Sequence, residues 1–192
     1  FGVRFSFARD RGRNVHLTIE LVAIFAEPCA RVVAMVLTMW LRRILTWGIF
    51  LVPFIPFIIP TASFFPFITG KNFTFRILTE LLFLVWAVLA LRDSAYRHRF
   101  TLLTYALGAF LLIVGLADLL SENPFKSFWS NFERMEGYVA MLHLGLYFLV
   151  LTAALHTEKL WTRFLQTSVG ASVLMCGYGL LQLSGSIVIN QG

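Results

Sequence analysis

Charged residues of both signs lie close together in residues 127–137, a segment that separates two long apolar runs. Glu133, Arg134 and Glu136 fall within four positions, and Trp129 precedes them. An arginine guanidinium can bind phosphate oxygens through paired hydrogen bonds, and a carboxylate can orient that arginine or accept a proton from a hydroxyl group. The segment therefore predicts a ligand-binding or catalytic site. A network of ion pairs that seats the following helix is the structural alternative.

A second group of ionisable residues lies at the start of another apolar run. Lys71 and Arg76 are basic, and Glu80 follows Arg76 by four positions, so Arg76 and Glu80 share one helix face. They can neutralise each other at a membrane edge. However, ionisable residues within a membrane span usually face the bundle interior or a cavity. The three residues are therefore candidate ligand-binding residues, and no spacing typical of metal ligands accompanies them.

The composition is that of an integral membrane protein. Hydrophobic residues make up 58% of the chain and charged residues 14%, against roughly a quarter charged in a soluble domain. The mean hydropathy is +0.78. The net charge of +6 is attributed to topology, because Lys and Arg accumulate in cytoplasmic loops. No nucleic-acid partner is expected, since the basic residues are not interleaved with a soluble aromatic platform.

Five apolar runs are each about as long as the roughly 20 residues that a helix needs to cross a bilayer. They cover residues 44–62, 75–91, 101–120, 138–155 and 164–183. Three prolines interrupt the first run, which predicts a kinked helix. We predict an all-α fold, a polytopic transmembrane helix bundle with about five spanning helices that belongs to a larger bundle.

The loops between these runs predict an orientation. One side carries seven basic residues: Arg42, Arg43, Arg92, Arg97, Arg99, Lys159 and Arg163. The other side carries four: Lys71, Arg76, Lys126 and Arg134. By the positive-inside rule the richer side is cytoplasmic. The amino terminus is then cytoplasmic, and residues 127–137 lie outside.

Residues 1–38 are predicted to be a polar or amphipathic extension, separate from the bundle of residues 39–192. Glu27, Pro28 and Arg31 interrupt its moderately apolar part, and each charge costs about 2.5–3.5 kcal/mol at a bilayer centre. An interfacial or cytoplasmic helix is one interpretation. Sequence upstream of the true start is the other, because Met39 resembles a natural first residue.

Two stretches carry a family resemblance. Residues 128–137, FWSNFERMEG, run into the fourth span, and residues 65–76, FPFITGKNFTFR, run towards Glu80. Both resemble the bacterial O-antigen ligase and O-antigen polymerase family, from about residue 39 to residue 192. The resemblance implies the amino-terminal part of an inner-membrane glycosyltransferase that moves a glycan from undecaprenyl diphosphate to a lipid or polysaccharide acceptor on the periplasmic side. It also implies further helices and a large periplasmic loop downstream, without which this fragment is expected to be inactive.

The resemblance implies roles for the residues singled out above. The catalytic group is Arg134, Glu133 and Glu136, in which the arginine holds the leaving diphosphate and a glutamate orients it or acts as base. The substrate-binding group is Arg76, Lys71, Trp129, Asn131 and Glu80. No cofactor or metal is implied. The expected partners are the undecaprenyl-diphosphate-linked glycan, its acceptor and membrane lipids.

The alternative function is a non-catalytic one. A transporter or assembly subunit would bind a polar solute or a partner with the same outer loops. Transporters often contain two related halves with broken helices, and the proline-broken first span has no clear counterpart in this sequence. The missing counterpart of this span and the family resemblance both favour the glycosyltransferase.

Overall fold

The computed structural model describes residues 10–58, 69–131 and 136–185, and every regular element in these ranges is helical. The α-helices are α1 (Asp10–Leu51), α2 (Thr69–Arg92), α3 (Leu102–Leu119), α4 (Pro124–Trp129), α5 (Tyr138–Ala154) and α6 (Glu158–Leu183). Short 3-10 helices follow α1 at Val52–Phe57 and α2 at Ser94–Tyr96. The predicted all-α fold class is confirmed.

Four helical stretches are long and apolar enough to cross a membrane: Arg31–Phe57, Gly70–Arg92, Leu102–Leu119 and Glu158–Leu183. The fifth predicted span corresponds to α5, a shorter apolar helix of 17 residues. Most large apolar side chains on these helices are exposed, as expected for surfaces that contact lipid. The predicted transmembrane bundle of about five helices is therefore confirmed.

The chain divides into two compact units, Phe1–Trp40 and Leu41–Gly192. In the first unit the described residues form the beginning of α1, and Thr38 donates a hydrogen bond to the Ala34 carbonyl one turn earlier. The second unit contains all the sites considered below. Whether residues 1–38 are a separate, non-native extension stays a prediction.

The first apolar stretch begins at Arg31, whereas the sequence predicted a start at residue 44. One basic residue near the predicted boundary, Arg42, is paired with the Asp93 carboxylate, which offsets its charge. The α-helix ends at Leu51 and tightens into the 3-10 helix, because Pro53 and Pro56 have no amide hydrogen to donate. The third proline of the predicted kink, Pro60, lies outside the described residues.

The core of the second unit forms where α1, α2 and α5 meet. Leu45, Ile49, Leu82, Leu89 and Val150 are at most 2% exposed. Helices α2 and α5 pack together more extensively than any other pair of helices in the described part of the chain. They run in the same direction. Glu80 of α2 contacts His143 of α5, and further along both segments Tyr96, beyond the end of α2, contacts His156, beyond the end of α5.

The start of α5 is fixed to α3. The Tyr138 hydroxyl donates a 2.9 Å hydrogen bond to the Leu111 carbonyl, and its ring packs edge-on against Phe128 of α4. A Cβ atom on Gly115 would lie 2.6 Å from that hydroxyl, so only glycine leaves room. Tyr138, the first residue of α5, thus lies beside Gly115 in the last third of α3, whereas His98 joins Thr104 near the start of α3 to Thr152 near the end of α5, so the two helices are antiparallel.

These directions give the second unit two ends. The end of α3, α4 and the starts of α2 and α5 lie at what we call the 127–137 end. The end of α2, the starts of α3 and α6 and the end of α5 lie at the 93–101 end. Loops predicted to share a membrane side therefore share an end of the bundle.

At the 93–101 end, Asp93 closes α2. Its carboxylate accepts a hydrogen bond from the Ala95 amide at 3.0 Å and pairs with Arg42. The amide hydrogen bond and then the arginine hold the pKa of Asp93 below its ordinary value. The following Tyr96 is buried, which raises its pKa, and its carbonyl accepts a 3.0 Å hydrogen bond from the Trp86 indole.

Candidate functional site

Helix α2 carries two ionisable side chains one turn apart within its membrane span. Arg76 is only 7% exposed, although it lies within an apolar membrane span. Glu80 follows one turn later and lies close enough to attract the guanidinium, as the spacing predicts. The Glu80 side chain is 62% exposed. A buried charge within a membrane is costly, so Arg76, with Glu80 one turn away, marks a candidate site.

His143 of α5 completes the cluster. Its Nε2 atom lies 3.0 Å from Oε1 of Glu80, and its Nδ1 atom lies 2.7 Å from the carbonyl oxygen of Val139. The imidazole is 12% exposed. The hydrogen bond to its own helix therefore fixes the ring, while the second nitrogen faces the carboxylate on α2.

The two contacts define where the protons are. A backbone carbonyl can only accept, so Nδ1 of His143 carries a hydrogen. Nε2 then either donates to an ionised Glu80 or accepts from a protonated Glu80. In both cases one proton lies between Nε2 and Oε1. The pair can release this proton or take a second one, which is what a general acid or base requires.

The pair lies deep in the span. Glu80 is ten residues from Gly70 and twelve from Arg92, which bound this span of α2. At 1.5 Å per residue these separations are about 15 Å and about 18 Å. The carboxylate thus starts near the middle of the membrane span and not at its edge.

Two buried hydroxyl groups belong to the same helix pair. Thr79 precedes Glu80 and is fully buried, and Tyr147 lies one turn beyond His143 with its ring edge-on to Phe75. Neither hydroxyl has a hydrogen-bond partner in the part of the chain that the structure describes. An unsatisfied buried hydroxyl is costly, so a polar ligand or water is the expected partner. We call Arg76, Thr79, Glu80, His143 and Tyr147 the α2–α5 cluster.

The predicted substrate-binding residues outside the cluster lie at the 127–137 end. Lys71 is in the first turn of α2, Trp129 is the last residue of α4, and Asn131 follows it. Trp129 is 47% exposed. No hydrogen bond joins these three residues to Glu80 or His143 within the described ranges. They share an end of the bundle with Arg76 but do not form one constellation with it.

The predicted catalytic group is only partly described. Glu136 is exposed and precedes α5, whereas Glu133 and Arg134 lie outside the described residues. Glycine is required at position 137, because a Cβ atom there would lie 2.7 Å from the Ser127 carbonyl oxygen and nearer still to that of Phe128. The chain therefore returns to the backbone of α4 immediately before α5 begins.

His143 is not among the site residues predicted from the sequence. The signal it lacked was the partner, since Glu80 and His143 are 63 positions apart. Thr79 and Tyr147 carried no signal of their own. Among the described residues, no group of three or more His, Cys, Asp and Glu side chains could hold a metal ion.

Chemically, the cluster combines a buried cation, a proton-holding pair and two hydroxyl groups. It can attract an anion and exchange a proton with a bound hydroxyl group. No protein-family model, curated protein or solved structure matches this chain.

Proposed function

We propose that this chain is the amino-terminal part of a lipid-carrier-dependent glycosyltransferase of the O-antigen ligase type. It would act at the periplasmic side of the bacterial inner membrane, with its amino terminus in the cytoplasm. The observation that carries the proposal is the buried Arg76 next to the Glu80–His143 pair, within a membrane span that begins at the 127–137 end. The resemblance of residues 65–76 and 128–137 to that family supplies the reaction class.

The cluster meets two needs of this reaction. The acceptor oxygen bonds to the anomeric carbon of the glycan, and the bond from that carbon to the diphosphate oxygen breaks. The electron pair stays on the diphosphate, whose charge Arg76 would stabilise. The acceptor hydroxyl loses a proton, and the Glu80–His143 pair can take it as a second proton. Glu80, predicted only to bind substrate, thereby gains a role as part of the base.

The remaining predicted residues keep their roles within this proposal. Arg134 would assist in holding the diphosphate, and Glu133 and Glu136 would orient the Arg134 side chain. Lys71 would act as a point charge near the headgroup. Trp129 and Asn131 would contact the glycan or the isoprenoid chain where α4 ends.

A proton-coupled transporter is the second candidate. One specific observation favours it, because the Glu80–His143 pair lies near the middle of a span, where transporters commonly have proton-relay residues. In this alternative Arg76 would bind an anionic solute. The two candidates differ in what the pair does with its proton: a transferase exchanges it with an acceptor hydroxyl, whereas a transporter moves it across the membrane.

The test uses the complete protein reconstituted into vesicles with an undecaprenyl-diphosphate-linked glycan and its acceptor. Glycan transfer is measured by mass, and proton entry is followed with a pH-sensitive dye inside the vesicle. We expect Arg76→Gln and Glu80→Gln to lower transfer at least a hundredfold, while Arg163→Gln on α6 leaves it unchanged. Proton entry without glycan transfer would reject the transferase and support the transporter.

A further inference from the structure

A cavity of about 420 Å³ opens at the 93–101 end, away from the α2–α5 cluster. Its polar lining consists of Arg97, His98, Arg99, Thr101, Thr104, Thr152 and His156. None of the described residues that line it is acidic. The nearby Asp93 is engaged by Arg42 and by the Ala95 amide, so it does not neutralise the two lining arginines. The cavity is therefore cationic and suited to an anion.

The cavity is built on a fixed frame. The imidazole of His98 joins both helices that flank it, with Nε2 3.1 Å from the Thr104 hydroxyl of α3 and Nδ1 3.3 Å from the Thr152 hydroxyl of α5. Thr152 donates its own hydrogen to the Phe148 carbonyl, so it accepts from Nδ1. His98 thus anchors the loop that precedes α3 to both α3 and α5, and its sequence neighbours are Arg97 and Arg99.

An apolar groove of about 470 Å³ continues from this cavity between α3 and α5. Thr104 lines both spaces. On α5, the groove residues Leu142, Gly145 and Leu149 and the cavity residue Thr152 recur at steps of three and four, which places them on one helix face. The cavity residue His156 follows just beyond the end of α5.

The same steps link cavity and groove on α3. Thr101 and Thr104 line the cavity, and Thr104, Gly108 and Leu111 line the groove. Cavity and groove therefore form one crevice, cationic at the 93–101 end and apolar towards the middle of the membrane. Its apolar part follows α3 for seven residues, or about 10 Å.

We propose that this crevice binds one anionic phospholipid, with the phosphate at Arg97 and Arg99 and an acyl chain in the groove. One arginine guanidinium can bind two phosphate oxygens through paired hydrogen bonds, and basic residues beside membrane spans attract anionic headgroups. The apolar groove lies between the apolar helices α3 and α5, at a depth where lipid hydrocarbon would surround the protein. The combination fits an amphiphile and not a free phosphate ion. This site is at the opposite end of the bundle from the proposed transferase site and does not depend on it.

The headgroup test uses the purified chain in detergent micelles, with bound lipid counted by native mass spectrometry. The probes are dioleoyl phosphatidylglycerol, dioleoyl phosphatidylcholine and inorganic phosphate. We expect one phosphatidylglycerol to bind per chain. Its binding should weaken about 25-fold when Arg97→Gln and Arg99→Gln are combined, since each arginine contributes roughly fivefold. The matched control combines Lys159→Gln and Arg163→Gln at the same end of the bundle, and it should bind as the unchanged chain does.

The groove test fills the apolar part of the crevice. A Cβ atom on Gly108 would meet nothing within 4 Å, so Gly108→Phe can occupy the groove without displacing a helix. We expect it to abolish phosphatidylglycerol binding while the helical circular dichroism is unchanged. Should that variant lose its helical signal, Leu142→Trp, on the partly exposed opposite wall, takes its place with the same expectation.

Four outcomes would overturn the proposal. Equal weakening by the α6 control would show a diffuse attraction to basic surface. Undiminished lipid binding with the groove filled, or displacement of the lipid by millimolar inorganic phosphate, would show an anion site that holds no acyl chain. A mass corresponding to two chains without lipid would assign the groove to a second copy of the chain.

Discussion

At the scale of single residues, the cluster depends on what surrounds one imidazole. The Val139 carbonyl fixes the proton on Nδ1 of His143, and Glu80 then shares the other proton. Neither residue would hold a transferable proton in the same way alone. Arg76 adds a buried positive charge one turn before the Glu80 carboxylate on the same helix. A mid-span cluster of this kind is more than the ion pair at a membrane edge that the sequence suggested.

A first prediction at this scale concerns Asp93 and pH. The pKa of Asp93 is lower in the folded chain than its usual value, so its stabilising effect is fully present above about pH 4. The effect is lost as the pH falls through the folded-state pKa. Asp93→Asn keeps an acceptor for the Ala95 amide but removes the charge that pairs with Arg42. We therefore expect this variant to lower the melting temperature at pH 7, and we expect its difference from the unchanged chain to shrink as the pH falls below about 4.

The measurement is thermal unfolding in detergent across that pH range. Glu122→Gln, an exposed carboxylate beyond α3, controls for the general loss of one negative charge. A difference between Asp93→Asn and the unchanged chain that is equally large at pH 7 and pH 3 would contradict a charge-based role for Asp93.

At the scale of helices, close packing at small residues decides how α3 meets α5. The bounds of α3 and α5 agree with the apolar runs to within one residue, because a helix in lipid must satisfy its backbone internally and must be long enough to cross. Helices α2 and α6 each begin six residues before the predicted runs and include polar residues there. Which of those helices contact one another could not be predicted from the apolar runs. Apolar faces of similar composition contact either lipid or another helix, so contacts such as Gly115 with Tyr138 emerge only from the fold.

Two glycines of α3 provide a matched prediction. Gly115→Ala places a methyl group 2.6 Å from the Tyr138 hydroxyl and should break its hydrogen bond to Leu111, at a cost of about 1–3 kcal/mol. Gly108→Ala meets nothing and should be neutral or stabilising by up to about 1 kcal/mol. Unfolding in detergent by denaturant compares the two. Equal stability of both variants would mean that Tyr138 does not anchor α5 to α3.

At the scale of the whole molecule, sequence composition predicted a membrane bundle but not the position of its polar contacts. Basic residues such as Arg97 and Arg99 were interpreted only as topology signals, because a loop residue and a cavity residue look alike in a sequence. Conversely, Glu133 and Arg134, which stood out most in the sequence, lie outside the described residues. The α2–α5 cluster and the lipid crevice both needed tertiary contacts that join distant segments.

The predicted orientation can be tested with single cysteines in a chain whose Cys29 and Cys176 are replaced by serine. A cysteine at Ser130 should react with a membrane-impermeant maleimide added to the periplasmic side. A cysteine at Thr157, at the other end of the bundle, should react only after the inner membrane is opened. The reverse pattern would invert the topology and move the α2–α5 cluster to the cytoplasmic half of the protein.

The most direct test of the central claim is binding of undecaprenyl diphosphate to the purified chain, measured by native mass spectrometry. Arg76→Gln should weaken binding about tenfold or more, because a charge-assisted hydrogen bond to the diphosphate is lost. All chains compared carry Arg97→Gln and Arg99→Gln, so that the crevice at the other end of the bundle does not contribute, and Arg163→Gln added to this background should bind as tightly as the background itself. Unchanged binding by Arg76→Gln would contradict the claim that the α2–α5 cluster receives the lipid diphosphate.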